Sequence, residues 1–215
     1  MMDIVLLGPP GAGKGTQAEI LAKEFGLLHI STGDMLREEI KSGSELGGKL
    51  AEYINRGELA PDSIVNQVVI NRMSQKNAGK GVILDGYPRT KVQAESLDKS
   101  LEKLGKKLKM VLYFKATEQV VIQRLAGRRV CKKCGKNYHE TNMPPKRYNV
   151  CDICGEQLFQ RNDDKPDTIK NRLLVYEKST KELIEYYKEK KLLKEIDGDS
   201  SADKLFNNIK CFLEK

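Results

Sequence analysis

The chain has little of what a membrane or secreted protein needs. Its apolar runs are only a few residues long, far short of the roughly 20 that a transmembrane helix takes. The N-terminal stretch MMDIVLL has neither a basic n-region nor a small-residue cleavage site, so no secretory signal is expected and the chain reads as cytoplasmic. Internal repeats and low-complexity linkers are absent. Histidine is scarce: only His29 and His139 occur, and both read as structural or solvent-facing residues. Cysteine outside two close pairs is limited to Cys211, expected to be buried or half-buried in a C-terminal helix.

What is present describes a globular protein. The 215 residues are 39% hydrophobic and 32% charged, enough for one domain, or one domain with insertions. The net charge is +8, a balance found in proteins that meet nucleic acids, membranes or phosphorylated ligands. The lysines sit among glutamates on stretches such as 181-KELIEYYKEKK-191 and read as a solvated surface. The ten arginines read differently, six of them falling at motifs described below.

Along the chain, short apolar strands alternate with helical patterns. Strands are expected at 3–7, 27–30, 82–85, 110–114 and 192–196. Helices are expected from Lys14 to Phe25, from a Ser31 or Thr32 cap to about Ile40, and from Glu45 to Asn55. Others run from an Asp62 cap to about Asn77, from Thr90 to Leu104, and from a Thr117 cap to about Ala126. A long helix is expected from Asp167 to about Lys188, and a last one from Ser201 to Leu213. This alternation predicts an α/β fold, a parallel sheet with helices on both faces. Two stretches interrupt it. Residues 31–60 insert small helices. Residues 128–165 insert a Gly-, Pro-, Cys- and Asn-rich segment without helical or strand periodicity.

The joint between the first strand and helix reads 8-GPPGAGKGT-16. Backbone N–H groups at a helix N-terminus approach an anion closely and favour negative charge. Gly8, Gly13 and Lys14 meet the G-x-x-x-x-G-K pattern of a phosphate-binding loop, with the Lys14 ammonium on the distal phosphates. One departure stands out. Gly15 occupies the place where a Mg²⁺-binding Ser or Thr usually follows the lysine, and Thr16 comes one residue later. The metal is therefore expected to be held less directly, through water, with Thr16 on a phosphate. At 82-VILDGYPRT-90 a buried strand ends in Asp85. Ligands of open α/β sheets bind at the carboxyl ends of strands, so Asp85 is expected to hold Mg²⁺ or its waters. Arg89 follows Pro88 in a turn suited to a rigid clamp.

Taken with 31-STGDMLR-37, 57-GELAPD-62, Gln93, 124-RLAGRR-129, 159-FQRNDD-164 and Asp167–Arg172, these motifs resemble the adenylate kinases over the full length of the chain. The resemblance is to the long-lid, zinc-containing bacterial type. Tyr87 stands where the family usually has Phe. The resemblance implies reversible phosphoryl transfer, ATP + AMP = 2 ADP, with Mg²⁺. It implies a core of residues 1–30, 61–127 and 166–215, an AMP-binding insertion at 31–60 and a lid at 128–165. ATP would lie on Gly11, Ala12, Gly13, Lys14, Gly15 and Thr16, under Arg128, Asn137 and Tyr138, its adenine near Asp199. AMP would meet Thr32, Arg37, the main chain at Glu58, Leu59 and Ala60, and Gly86, Tyr87, Pro88 and Arg89, with Gln93 on its base. Arg124, Arg161 and Arg172 would close around the moving phosphoryl group. Such transfer needs positioning and charge neutralisation more than proton chemistry, and guanidiniums grip phosphate oxygens in pairs. No general base is expected. Kinases of other nucleoside monophosphates share this logic; Thr32 and Gln93 favour AMP.

The stretch 131-CKKCGKNYHETNMPPKRYNVCDICGE-156 places two CxxC pairs sixteen residues apart. In a reducing compartment this spacing points to a metal site, with Cys131, Cys134, Cys151 and Cys154 as ligands. Four thiolates close the coordination shell, so one structural Zn²⁺ is expected; iron fits the same cage. A nucleic-acid-binding zinc module would need more exposed aromatics than Tyr138 and Tyr148. No nucleic-acid or membrane partner is expected, and the chain reads as a monomer.

Overall fold

The computed structural model describes residues 2–75 and 80–214. The strands are β1 (Asp3–Leu7), β2 (Leu28–Ser31), β3 (Val82–Asp85), β4 (Leu108–Lys115), β5 (Arg128–Cys131), β6 (Asn137–His139), β7 (Leu158–Phe159) and β8 (Leu193–Asp197). The helices are α1 (Lys14–Phe25), α2 (Thr32–Lys41), α3 (Glu45–Arg56), α4 (Asp62–Met73), α5 (Lys91–Lys103) and α6 (Glu118–Ala126), followed by α7 (Pro166–Ser179), α8 (Glu182–Glu189) and α9 (Ala202–Leu213).

Five strands form a parallel sheet in the order β2-β3-β1-β4-β8. Strand periodicity sorts its side chains to two faces. Val5, Leu7, Val82, Leu84 and Val111 pack with α4, α5 and α8 through Val65, Val69, Leu97, Leu101, Leu183 and Tyr187. Ile4, Leu6, Ile83, Leu112 and Phe114 face the other way, onto Leu21 of α1 and Leu205 and Ile209 of α9. Burial on both faces explains why these strands are continuous apolar runs in sequence. The chain leaves β1 and crosses to β2, then returns to β3 at one flank of β1, while β4 pairs at the other. The crevice at this reversal lies over the C-terminal ends of β1 and β3, where Leu6 is in register with Asp85. No helix among the described residues is long and apolar enough to cross a membrane.

Several local expectations needed correction. The long helix expected from Asp167 to Lys188 is two, broken at Thr180. There the Tyr176 carbonyl accepts from both Thr180 N (2.9 Å) and Lys181 N (3.0 Å), while the Thr180 hydroxyl donates to the Arg89 carbonyl at 2.9 Å. Periodicity alone continues the helix through this point, where the structure has this tertiary tie. Helix α4 ends at Met73, where Ser74 N–H and its hydroxyl both donate to the Ile70 carbonyl, at 3.1 and 2.9 Å; Asn77 lies outside the described residues. Asp62 is not the cap of α4: Pro61 holds that position, and the carboxylate turns instead to Thr90 and Gln93. Thr117 sits at the start of α6 without a capping bond from its side chain. Residues 128–165, which break the alternation, carry a small antiparallel sheet of β6, β5 and β7. Its strands are too short to show alternation. Cys211 is exposed, since α9 buries Leu205, Ile209 and Leu213, on the opposite stripe.

Candidate active site

A single cavity of about 970 Å³ runs across the reversal point, at the upper end of the range for small-molecule sites. Gly11, Gly13, Lys14, Gly15 and Thr16 line one part of it. Lys14 is the first residue of α1, and Gly13 before it is left-handed, with φ 94°. The Lys14 ammonium curls back to donate to the carbonyls of Gly8 and Pro9, each at 2.7 Å. Burial pushes its pKa down to about 7; Asp85 opposes the shift and Arg89, Arg172 and Arg128 add to it. Gly15 faces the end of β3 so closely that a Cβ there would stand 3.2 Å from Asp85 Oδ2. A side chain at this place would require the Asp85 carboxylate to shift by a few tenths of an ångström. Asp85 also lies 3.6 Å from His29 Nε2, an ion-pair distance without a hydrogen bond.

The far part of the cavity is lined by Thr32, Arg37, Glu58, Leu59, Ala60, Gly86, Pro88, Arg89 and Gln93. Thr32 Oγ1 donates to the Gly86 carbonyl at 2.8 Å, and Arg89 Nε donates to the same oxygen at 2.8 Å. The Arg89 main chain is held at both ends, by Gln93 Oε1 on its N–H (2.7 Å) and by Thr180 on its carbonyl. Gln93 is only 1% exposed yet reaches the cavity. Ala12 and Tyr87 are not among the lining residues. Ala12 packs into the sheet core, and the Tyr87 hydroxyl turns inward to Asn66 Oδ1 at 2.7 Å and the Gln93 carbonyl at 3.1 Å.

Between the two parts stand Arg128, Arg161 and Arg172, with Arg37 and Arg89 beside them. Their shared partners are carboxylates to which the sequence reading assigned no role. Asp164 is fully buried and takes a two-point contact from Arg128, at 2.8 and 2.5 Å, and a third bond from Arg172 at 3.1 Å. Asp163 lies 3.3 Å from Arg172 and 4.0 Å from Arg37. Asp34 on α2 accepts from Arg37 at 2.6 Å and from Arg161 at 3.5 Å. Burial works against ionisation of Asp34, but Arg37, Ser31 and Arg161 outweigh it and hold the carboxyl at about 2. Burial, reinforced by Arg37 and Arg128, brings Arg161 down to about 9. Burial with Arg172 alongside brings Arg89 to about 10. The cations Lys14, Arg37, Arg89, Arg128, Arg161 and Arg172 thus outnumber the carboxylates Asp34, Asp85, Asp163 and Asp164. Burial is the first cause of the lowered values and neighbouring cations the next, whereas Asp164 raises Arg128; a polyanionic ligand would supply the negative charge this excess of cations lacks.

Arg124 stands apart from this cluster. It donates to the carbonyls of Gly198 (2.6 Å), Asp199 (3.3 Å) and Ser200 (3.2 Å), so it braces the wall formed with Asp199. Asn137 and Tyr138 line the cavity from β6; Asn137 accepts from Arg161 at 3.2 Å. His139, also on the wall, accepts from Thr141 and Asn142 N–H groups at 3.1 Å and meets the Gln123 carbonyl at 3.3 Å. His139 is thus tied into the structure, whereas the approach to Asp85 leaves His29 Nε2 without a hydrogen bond. The sequence reading also left out Tyr176 and Ser200 as wall residues. Asp34, Asp163 and Asp164 were visible inside motifs already singled out; nothing local marked them as partners of arginines far along the chain.

The four paired cysteines are not among the cavity-lining residues. Their sulfurs all lie within 4.8 Å of one another, with Cys131 and Cys154 at 3.4 Å and Cys134 and Cys151 at 3.6 Å. A tetrahedral ion with sulfur at about 2.3 Å needs sulfur edges of about 3.8 Å, so the donor set fits zinc. Gly135 and Gly155 both take φ 74°, which lets each knuckle turn tightly and sends their N–H groups to the Cys131 and Cys151 carbonyls. Burial opposes ionisation of Cys151, but the Tyr138 hydroxyl and the Cys154 and Ile153 N–H groups outweigh it and bring the thiol down to about 6. Cys134 has a helpful N–H from Lys136, yet burial and the three other sulfurs push it up to about 12. Sulfurs this close become thiolates together only around a cation.

Comparison with known proteins gives a consistent result. Residues 6–192 match the family model described as adenylate kinase. The chain is 50% identical over 209 residues to the adenylate kinase of Caldanaerobacter subterraneus subsp. tengcongensis, covering 97% of this chain and 95% of that one. It is 50% identical over 214 residues to the adenylate kinase of Carboxydothermus hydrogenoformans, covering all of both chains. Against the adenylate kinase of Archaeoglobus fulgidus it is 46% identical over 214 residues, covering all of this chain and 99% of that one.

Proposed function

The chain belongs to the adenylate kinase family, a phosphotransferase family whose reaction is ATP + AMP = 2 ADP, and from that premise we propose how its own residues carry the transfer. The observation that supports the reading is the cavity itself. It joins the glycine cradle to the Thr32 and Gln93 end through a belt of arginines, so two nucleotides placed at its ends bring their phosphates together under the guanidiniums.

In this reading the N–H groups of Gly11 to Thr16 and the Lys14 ammonium hold the ATP phosphates at the start of α1. Asp85 receives the Mg²⁺ that accompanies ATP, directly or through water, and Thr16 takes a phosphate oxygen. Arg124 with Asp199 braces the nucleoside end of that site. Arg37 and Arg89 hold the AMP phosphate, whose anionic oxygen is the nucleophile, and Thr32, the 58–60 main chain and Gly86 to Arg89 enclose its sugar and base. Arg128, Arg161 and Arg172 neutralise charge that spreads over the moving phosphoryl group. Asp163 and Asp164 keep Arg128 and Arg172 aimed before substrate arrives, while Asp34 and Asn137 hold Arg161, so little reorganisation remains for the transition state. Residues 31–60 act as the AMP-binding insertion and 128–165 as a lid that excludes water. The four cysteines hold one structural zinc, which stiffens the lid and takes no part in transfer. The proposal includes a cytoplasmic monomer without nucleic-acid or membrane partners, in keeping with the family.

The test is a coupled assay of the purified protein with ATP, Mg²⁺ and each nucleoside monophosphate in turn. AMP should be the preferred acceptor, and equal rates with all acceptors would overturn the base assignment. Within that assay, Gln93→Leu should raise the KM for AMP about tenfold or more, the loss of about two neutral hydrogen bonds. The KM for ATP should stay nearly constant. Equal changes in both would place Gln93 away from the AMP base.

A further inference from the structure

A primary amide has nearly the same shape either way round, so Gln93 can recognise a base only if something decides which end is oxygen. Two neighbours do so. The Arg89 backbone N–H donates to Oε1 at 2.7 Å, and Nε2 donates to Asp62 Oδ1 at 2.7 Å. A backbone N–H can only donate, and a carboxylate oxygen can only accept. Turned round, the amide would set donor against donor at one contact and oxygen against oxygen at the other. Asp62 is itself held. Its second oxygen accepts from Thr90 Oγ1 at 3.0 Å, and Thr90 caps α5 by accepting the Gln93 N–H at 3.2 Å. These contacts use one lone pair of Oε1 and one hydrogen of Nε2. One of each remains for a ligand. Asp62 is not among the residues that line the cavity, so it acts on a ligand there through the groups it holds, Gln93 directly and Thr90 at the cap of α5.

The geometry points to Asp62 as a positioning residue for base choice, fixing the Gln93 amide so that the site takes a 6-aminopurine monophosphate and rejects a 6-oxopurine. The inference rests on the reading of Gln93 as the side chain that meets the AMP base. A 6-aminopurine offers an amino donor beside an unprotonated ring nitrogen. The fixed amide answers with Oε1 as acceptor and Nε2 as donor. A 6-oxopurine reverses that order, with a carbonyl oxygen beside a ring N–H, and it would pair with the amide turned round. The exocyclic group carries the same donor-to-acceptor reversal when adenine and guanine are read in nucleic acids. A site with committed buried polar groups rejects the wrong partner because they are left unpaired.

Asp62→Asn tests this with almost no change of shape. An asparagine offers both an acceptor and a donor, so either orientation of Gln93 finds a partner there. The readout is the ratio of kcat/KM for AMP to kcat/KM for inosine monophosphate at saturating ATP, with the ATP KM and the melting temperature measured alongside. The ratio should fall roughly tenfold or more, through the monophosphate KM values, while kcat with AMP and the ATP KM stay near their starting values. Asp62→Ser, which removes the carboxylate altogether, should move the ratio the same way and serves if the asparagine variant folds poorly. An unchanged ratio in a folded variant overturns the role of Asp62, and so does an equal loss with both acceptors, the mark of a purely structural part. Gln93→Leu, run in parallel, separates the two layers. If it too leaves the ratio unchanged, the base reading by Gln93 is wrong. If it collapses the ratio while the Asp62 variants do not, only the positioning role fails.

Discussion

Replacing Lys14 with methionine is expected to lower turnover by about two to four orders of magnitude while leaving the fold intact. The magnitude follows from removing a charge that acts mainly on the transition state, about 3–5 kcal/mol in sites of this kind. The fold should survive because the ammonium spends its hydrogen bonds on carbonyls of its own loop, Gly8 and Pro9, and supports no distant element. Normal circular dichroism with near-normal turnover would overturn the assignment. The same variant carries a pH signature. Burial holds the Lys14 pKa near 7, below its ordinary 10.5. Between those values the unfolded chain binds a proton that the folded, nucleotide-free protein does not. Stability therefore rises with pH across that window on account of Lys14. Thermal melts of both proteins from pH 7 to 10 should show that rise shrinking in the methionine variant.

Removing a cysteine ligand should lower the melting temperature and spare activity at moderate temperature. Residues 128–165 have too few buried apolar groups to hold themselves together. Their core is Cys131, Tyr138, Cys151 and Leu158, with Cys154 packed at its edge, while Ile153 is 68% and Phe159 40% exposed. A segment this thin needs a staple, and a Cys₄ metal site contributes on the order of 10 kcal/mol of local folding free energy. Cys131→Ser and Cys154→Ser should each lose the metal and melt earlier, and elemental analysis of the parent protein should find about one zinc or iron per chain. Metal-free protein of unchanged thermal stability would refute the structural role. Lost turnover in a segment that stays folded would show that the metal touches the chemistry. One side chain links the two regions. Tyr138 lines the cavity, while its hydroxyl sits 3.5 Å from Cys151 Sγ and accepts the Asp152 N–H at 2.8 Å. Its place over the cavity thus depends on the knuckle being formed.

Much of the molecule is written in short stretches of sequence. The cradle is legible because its parts are contiguous: a strand, a run of glycines, a lysine and a helix start. The alternation of apolar strands with helical patterns was enough for a parallel sheet, since burial on both faces leaves that mark on the central strands β1, β3 and β4. The four-cysteine cluster could be read because each cysteine pair sits on one tight turn.

Other features exist only once the chain is folded. Asp163 and Asp164 look like any acidic turn, yet they hold Arg128 and Arg172 from other elements. Arg124 and Arg128 are neighbours on the chain, but the wall at 198–200 claims one and Asp164 the other. At the helix break Thr180 bonds to Arg89, ninety-one residues away, where local periodicity predicts continuity. Asp62, a plausible cap by position, serves Gln93 instead, across thirty-one residues. Local backbone preference and burial pattern act within a few residues and can be read there. The partner of a charged or polar side chain is chosen by what the packed sheet and helices bring within hydrogen-bond reach, and that choice belongs to the tertiary structure.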